Sequence, residues 1–337
     1  MNRIRLALVG AGLIWDGVHR YNIERHAESV SLAGICARTE ETRNRVRRAF
    51  PDAWECTSTA ELFGPDLRDS FDAVLVQTPI AMNAPVAKAA LEAGKTVFLE
   101  KPAAMSQAQC NALEQAHSAS SGTLYILENN YYDERFVLAE EMIRKGKIGR
   151  FVSFERVTHL FMGGPRNQAG DYGGSQWRMD ASFPLGIMFD GGIHDLAGLR
   201  RLTGPVDTVF SDAMTLREGF GEFDLIETML RYRRGVMGTL SHASALPSGG
   251  NYTVLRGTEG TISFTGDGLL VRTADGKNES LPVEGRGSHE HMWDAVIAAA
   301  IEGRETEYTV ADGLADVRTL LSVERSVKTR SAEFVGE

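Results

Sequence analysis

Cysteine is scarce in this chain of 337 residues, which has only Cys36, Cys56 and Cys110, scattered and odd in number. No CxxC and no Cys/His spacing suggests zinc, so no metal site is expected, and the thiols read as reduced, as in a cytosolic protein. Long apolar runs are lacking too. Nothing approaches the ~20 residues of a membrane span, and the apolar run before Gly10, roughly five residues, is too short for a signal-peptide core. The expectation is a soluble cytoplasmic protein without a membrane partner. Basic charge is short as well: 36 Lys and Arg face 45 Asp and Glu, for a formal net charge of −9. That balance argues against a nucleic-acid partner, whose binder shows a basic face. There is no internal repeat and no low-complexity tract. What is present suits a globular chain long enough to bury its cores without staples, and two domains are the natural expectation at roughly 100–200 residues each.

The first third alternates strand and helix. Strands are expected at 4–9, 31–37, 73–76, 96–99 and 124–127, and helices at 13–26, 40–50, 85–93 and 106–119. Alternation at this spacing implies βαβ units and a doubly wound parallel sheet, a dinucleotide-binding Rossmann domain over 1–127. From 128 to 337 the rhythm changes. A helix at 133–145 and a strand at 150–159 precede a glycine-rich loop at 163–174, and long loops of this kind are often functional. A helix at 191–202 follows, then strands at 208–216, 226–232, 236–244, 252–256 and 260–264. These look antiparallel, with turns at Arg233-Arg234-Gly235 and Thr258-Glu259-Gly260. Helices at 288–302 and 312–328 close the chain. The fold class is α/β, with a second α/β domain for substrate and assembly.

Gly10-Ala11-Gly12 follows a strand and opens a helix. The first glycine permits a tight turn; the second lets the backbone approach a pyrophosphate at the positive helix N-terminus. The full fingerprint wants a small residue at 15, where Trp15 stands, and Gly17 comes two residues late. An NAD site usually ends its second strand with a carboxylate for the ribose 2′-OH. Here the strand ends Ile35-Cys36-Ala37-Arg38-Thr39. Arg38, helped by Thr39 and Arg43, is placed for a 2′-phosphate, which points to NADP, with NAD the alternative. A solvated surface arginine is the plainer reading of Arg38.

More specific motifs lie downstream. Ala90-Leu91-Glu92-Ala93-Gly94-Lys95 leads into Val97-Phe98-Leu99-Glu100-Lys101-Pro102. Gly146-Lys147-Ile148-Gly149 precedes a strand, and Asp190-Gly191-Gly192-Ile193-His194 opens a helix. With the opening glycines, the strand ending in Thr78-Pro79 and the final helix from 309 to 321, these motifs resemble the glucose–fructose oxidoreductase, inositol dehydrogenase and rhizopine-catabolism (Gfo/Idh/MocA) family nearly end to end. The resemblance implies a Rossmann domain followed by a domain with a large open, mostly antiparallel sheet that makes homodimers or homotetramers. It implies hydride transfer between a nicotinamide cofactor and a hydroxyl or keto carbon of a sugar, sugar derivative or cyclitol. Carried over, the catalytic group is Lys101, Asp190 and His194. Cofactor contacts fall on Gly10, Gly12, Leu13, Ile14, Arg38, Thr39, Thr78, Pro79, Glu100 and Lys101. A cis bond before Pro102 is also implied; an ordinary trans proline is the alternative. The chain departs from the pattern at Trp15, at Asn83, where the family often has histidine, and at Pro184-Leu185-Gly186, which replaces three glycines. Leu196-Ala197 lacks the aspartate often found three residues past the histidine.

These residue types suit the chemistry. Oxidising an alcohol requires a proton acceptor as the hydride leaves, and histidine titrates in the right range. His194 lies four residues after Asp190, so on a helix both share a face. Lys101 falls just past the C-terminal end of a parallel strand, where such sheets bind ligands, and a cation there stabilises alkoxide character. His194 is thus expected as acid/base, Lys101 as the polarising group and Asp190 as the orienting one. Plainer roles are open to each: a surface lysine, a helix cap and a core histidine. His289 and His291 read as structural or solvated. Tyr131, His159, Arg166, Asp171, Tyr172, Trp177 and Arg178 mix aromatic and polar groups, as a polyhydroxylated ring would want. Among them Tyr131, Trp177 and Arg178, with Lys101, Asp190 and His194, are the expected substrate contacts. Two other functions fit the same scaffold: a glycosidase-like enzyme that oxidises transiently on a retained cofactor, and a non-catalytic NADP-binding regulator.

Overall fold

The computed structural model describes residues 3–161, 183–217, 221–247 and 249–336. The expected loop at 163–174, and with it Arg166, Asp171, Tyr172, Trp177 and Arg178, lies outside the described residues. The chain divides into two compact units, one of Met1–Glu128 with Met292–Val317, the other of Asn129–His291 with Arg318–Glu337.

In the first unit, β1 (Ile4–Val9) leads through a π-helical turn, Trp15–His19, into α1 (Arg20–Arg25) and β2 (Val30–Cys36). Then come α2 (Glu40–Ala49), β3 (Trp54–Cys56), α3 (Thr59–Leu62), β4 (Ala73–Val76), α4 (Ile80–Glu92), β5 (Thr96–Glu100), α5 (Gln107–Ala119) and β6 (Leu124–Leu127). The strands lie in the order β3-β2-β1-β4-β5-β6, and every pairing is parallel. This is the doubly wound Rossmann order, with its direction reversing between β1 and β4. Strands covered on both faces read as unbroken apolar runs, and Leu6, Ala7 and Leu8 of β1 and Ala73 to Val76 of β4 are all fully buried. The short β3 and α3 are absent from the sequence-based expectation. Their local signal is the Ser58-x-x-Glu61 pattern: Glu61 N–H donates to Ser58 Oγ, while the Thr57 N–H and the Ser58 hydroxyl donate to the Glu61 carboxylate.

A boundary at 127/128 leaves out one segment. Met292–Val317 groups with the Rossmann unit, because its aromatic and small residues complete that core. Trp293 stacks on Phe98 with ring centroids 6.0 Å apart, and Phe98 on Tyr125 at 5.5 Å. Gly313 leaves space that the Ile126 side chain fills, 2.4 Å from where a Cβ would sit. Such chain returns carry no local sequence signal.

The second unit begins with a 3₁₀ turn, Asn129–Tyr132, then α6 (Glu134–Arg144) and β7 (Phe151–His159). A second π turn, Met188–Gly192, runs into α7 (Ile193–Thr203). The chain continues through strands β8 (Val206–Met214), β9 (Leu225–Tyr232), β10 (Met237–Ala243), β11 (Tyr252–Gly257), β12 (Gly260–Phe264), β13 (Gly268–Thr273) and β14 (Asn278–Pro282), then through α8 (Ser288–Glu302) and α9 (Val310–Thr329), of which Met292–Val317 belongs to the first unit, and returns to the second with β15 (Glu333–Phe334). The strands form one nine-stranded sheet in the order β14-β13-β12-β11-β7-β10-β9-β8-β15. Only β10 with β7 is parallel; the other pairings are antiparallel. One face is buried and carries Leu240 and His242 of β10, Ile226, Thr228 and Leu230 of β9, and Val209 and Ser211 of β8. Their neighbours in sequence face outward, because side chains alternate along a strand. Phe210, Met214, Met229, Met237 and Phe334 form an exposed apolar stripe on that face. Among the described residues no helix is long and apolar enough to cross a membrane.

Candidate active site

In the first unit the expected cofactor residues gather at the carboxyl edge of the parallel sheet, around its switch point. Gly10 follows β1 in the left-handed region at φ 76°, and its N–H donates to Cys36 O at 3.0 Å. A Cβ on Gly10 would stand 2.5 Å from Gln77 O, so the turn takes only glycine. Gly12 and Leu13 are exposed and Ile14 is half-buried. Trp15 is fully buried against Phe50, ring centroids 6.1 Å apart. Here the helix opens as a π turn rather than an α turn, and a π bulge accommodates an inserted residue. Gly17 is not a displaced third glycine: no atom lies within 4 Å of where its Cβ would be.

At the end of β2, the Arg38 side chain is exposed and makes no hydrogen bond or ion pair among the described residues. Its expected helpers are differently employed. Thr39 caps α2, accepting from Thr42 N–H and donating to the Thr42 hydroxyl. Arg43 donates to Glu55 and to the carbonyls of Ala37 and Arg38. Sequence reasoning passed over Arg45, which reaches from α2 to donate to the Ala11 carbonyl inside the glycine turn. No sequence pattern marks that contact, which depends on how α2 lies against the turn.

Thr78, Pro79, Glu100 and Lys101 complete this edge. Pro79 caps α4, which begins earlier than the expected 85. Pro85 lies inside the helix without breaking it; the Ala81 carbonyl it cannot bond receives Gln109 Nε2 at 3.5 Å. Asn83 on the first turn is buried. Its Nδ2 donates to Glu100 O at 3.1 Å and Pro102 O at 2.9 Å, while Thr78 Oγ1 donates to its Oδ1 at 2.9 Å. One amide thus clamps the backbone on both sides of Lys101, and the Lys101–Pro102 bond is cis. The Glu100 carboxylate lies 2.7 Å from His19 Nε2 and accepts from the Lys101 N–H at 3.1 Å. His19 is fully buried, edge-on to Trp293. Lys101 itself is only 9% exposed, which removes the reading of a surface lysine.

A nicotinamide dinucleotide fits these residues. The glycine cradle closes against Gln77, and both ends of the buried Gln77 amide lack a hydrogen-bond partner. Buried polar groups are seldom left so unless a ligand or water meets them.

The second unit places Asp190 and His194 on one helical stretch. Asp190, 2% exposed, lies inside the π turn and His194 in the first turn of α7. Neither helix start uses Asp190 as a cap. Ahead of them, Leu185 adopts φ 56°, a left-handed conformation costing roughly 1–2 kcal/mol for a non-glycine residue. Its side chain is fully buried, a burial worth about 1.5–3 kcal/mol, so packing outweighs the strain where a glycine would be easier. The Arg201 guanidinium lies over the Tyr131 ring, 4.8 Å from its centroid. His159 Nε2 is 2.8 Å from Ser241 Oγ on the sheet, and His291 Nε2 is 2.8 Å from Glu134, a structural role.

Residues 4–127 match the family described as "Oxidoreductase family, NAD-binding Rossmann fold", and residues 136–263 match the "GFO/IDH/MocA C-terminal domain". The scyllo-inositol 2-dehydrogenase (NADP(+)) of Bacillus subtilis is 21% identical over 98% of this chain and 95% of its own. The inositol 2-dehydrogenase of Rhizobium meliloti is 24% identical over 96% of this chain and 97% of its own. Among solved structures, an oxidoreductase of Thermotoga maritima has a TM-score of 0.88 at 23% identity, covering 99% of both chains. The glycine turn, the Glu-Lys-Pro strand end and the Asp-x-Gly-x-His turn thus lie within those matches, and the chain belongs to the Gfo/Idh/MocA family of oxidoreductases, with an NAD-binding Rossmann domain at its N-terminus.

Proposed function

We propose that this enzyme moves a hydride between NADP(H), with NAD(H) the poorer alternative, and one hydroxyl or keto carbon of a sugar, sugar derivative or cyclitol. The observation that carries the reading is the held lysine: Lys101 is buried at the carboxyl end of β5, its flanking carbonyls clamped by Asn83. A lysine fixed at the ligand-binding edge of a Rossmann sheet suits a reacting oxygen better than a solvated surface. The unengaged Arg38 supports NADP, as does the NADP(+) in the name of the Bacillus subtilis relative. The inositol dehydrogenase names of two relatives support a polyol.

When bound, the nicotinamide supplies the hydride acceptor or donor. The chain's own groups do the rest. His194 takes the hydroxyl proton, Lys101 stabilises the developing alkoxide, and Asp190 orients the imidazole or a neighbouring substrate hydroxyl. Tyr131, Trp177 and Arg178 contact the polyol. The assembly is a homodimer or homotetramer formed through the outer face of the nine-stranded sheet, where Phe210, Met229 and Met237 are exposed.

The test is a parallel screen of sugars, sugar acids, aminosugars and inositols with NAD and NADP, read at 340 nm. Net cofactor reduction with at least one polyol is expected, and Lys101→Ala and His194→Asn are expected to lower kcat by roughly 10²–10⁴-fold. Glycoside cleavage without net conversion would favour transient oxidation on a retained cofactor. NADPH binding without any turnover would favour a regulator.

A further inference from the structure

Under the turn that carries Asp190 and His194, the inner face of the second sheet holds charged groups that the proposed reaction leaves unused. Asp195, the residue after His194, is 1% exposed. Its Oδ1 lies 2.6 Å from Arg156 Nε and 2.5 Å from the end of the same guanidinium, and accepts the Thr158 hydroxyl at 3.2 Å. Its Oδ2 lies 3.3 Å from His242 Nδ1. Arg156 is fixed in turn by Thr253 Oγ1 at 2.6 Å and by its place over the Phe136 ring, 5.5 Å from the centroid. Burial works to push the Asp195 carboxyl up; the Arg156 charge and the His242 bond override it and hold it at about 2.

The other edge of His242 meets the turn. Its Cε1 and Nε2 both lie 3.3 Å from where a Cβ on Gly191 would be. The residue is 1% exposed and Nε2 has no hydrogen-bond partner. With Nδ1 committed to Asp195, the ring is wedged between a fixed carboxylate and the backbone that joins Asp190 to His194. An apolar side chain would fill the same space without an unpaired nitrogen, so what the histidine adds is its bond to Asp195.

We propose that His242 is a positioning residue, and that the chain Arg156–Asp195–His242–Gly191 sets where Asp190 and His194 stand. This rests on the roles given above to those two residues. Asp195 follows His194 in the same helical turn, so the two side chains leave the helix in different directions, and the coupling runs through the backbone that His242 braces at Gly191. Neutralising Asp195 leaves the Arg156 charge uncompensated and weakens the bond that holds His242 against the turn.

The experiment compares His242→Asn, which keeps a donor for Asp195, with His242→Phe, which keeps only the ring shape, and adds Asp195→Asn. With a substrate from the polyol screen, His242→Phe is expected to lower kcat at least tenfold at nearly unchanged KM. His242→Asn should stay within threefold of wild type, and Asp195→Asn, which weakens the bond to His242 Nδ1, should lower kcat at nearly unchanged KM as His242→Phe does. NADPH affinity, read by its fluorescence, should hold in all three. Wild-type kcat in His242→Phe or in Asp195→Asn overturns the proposal. If His242→Phe does not fold, Asp195→Asn decides alone. If the wild-type enzyme turns over no polyol, the functional reading fails while the positioning proposal is still read by NMR of the ¹⁵N-histidine-labelled full chain. His194 imidazole signals that shift in Asp195→Asn support it, and unshifted signals reject it.

Discussion

At the scale of single residues, the site is a set of side chains whose partners decide their use. Arg38 is exposed and uncommitted, whereas Arg43 and Thr39 are engaged locally. Arg38→Ala is therefore expected to weaken NADPH binding roughly tenfold or more, the worth of a charged hydrogen bond, with NADH binding unchanged; equal losses for both cofactors in a fluorescence titration would refute the 2′-phosphate role. Asp195 makes a different prediction. Its carboxyl is held at about 2 against ~3.9 in an unfolded chain. A depressed carboxyl stabilises the fold fully above the unfolded value and loses that contribution as pH falls toward the folded one. Stability should drop by about 2 kcal/mol between roughly pH 4 and 2 on this account, and chemical denaturation of Asp195→Asn should show a flatter acid dependence. Asn83 shows what the sequence left hidden. It reads as a departure from a histidine pattern, yet two carbonyls 17 and 19 residues away are its partners.

At the scale of elements, apolar runs and glycines predicted most strands and helices, because buried parallel strands and capped helices write themselves locally. The two π turns were not foreseen, since an extra residue in a helical turn leaves the apolar pattern nearly intact. Both lie where chemistry is expected, one after the glycine turn and one carrying Asp190. The turn at Gly10 is the strictest element. Gly10→Ala combines a left-handed φ of 76° with a Cβ 2.5 Å from Gln77 O. It should cost at least ~1–2 kcal/mol and lower cofactor affinity; a variant with wild-type melting temperature and NADPH affinity would show the turn to be less strict.

At the scale of the whole molecule, the outer sheet face carries the prediction. Phe210 and Met229 are Cα partners on β8 and β9 and are 48% and 57% exposed. Contiguous exposed apolar groups mark association surfaces. If the proposed homodimer or homotetramer forms through this face, Phe210→Asp with Met229→Asp should move the protein toward monomer in sedimentation velocity, and an unchanged distribution would place the interface elsewhere. The sequence by itself determined the α/β class, the Rossmann alternation, the glycine turn and the motifs that name the family, because these rest on local periodicity and short spacing. Only the tertiary structure decided that Met292–Val317 completes the first core, that Asn83 and His19 hold Glu100 and the backbone around Lys101, and that Asp195 and His242 lie beneath the Asp190 turn. Those contacts join residues far apart in the chain, whose pairing costs loop entropy and is selected by packing and charge rather than by any neighbour in sequence.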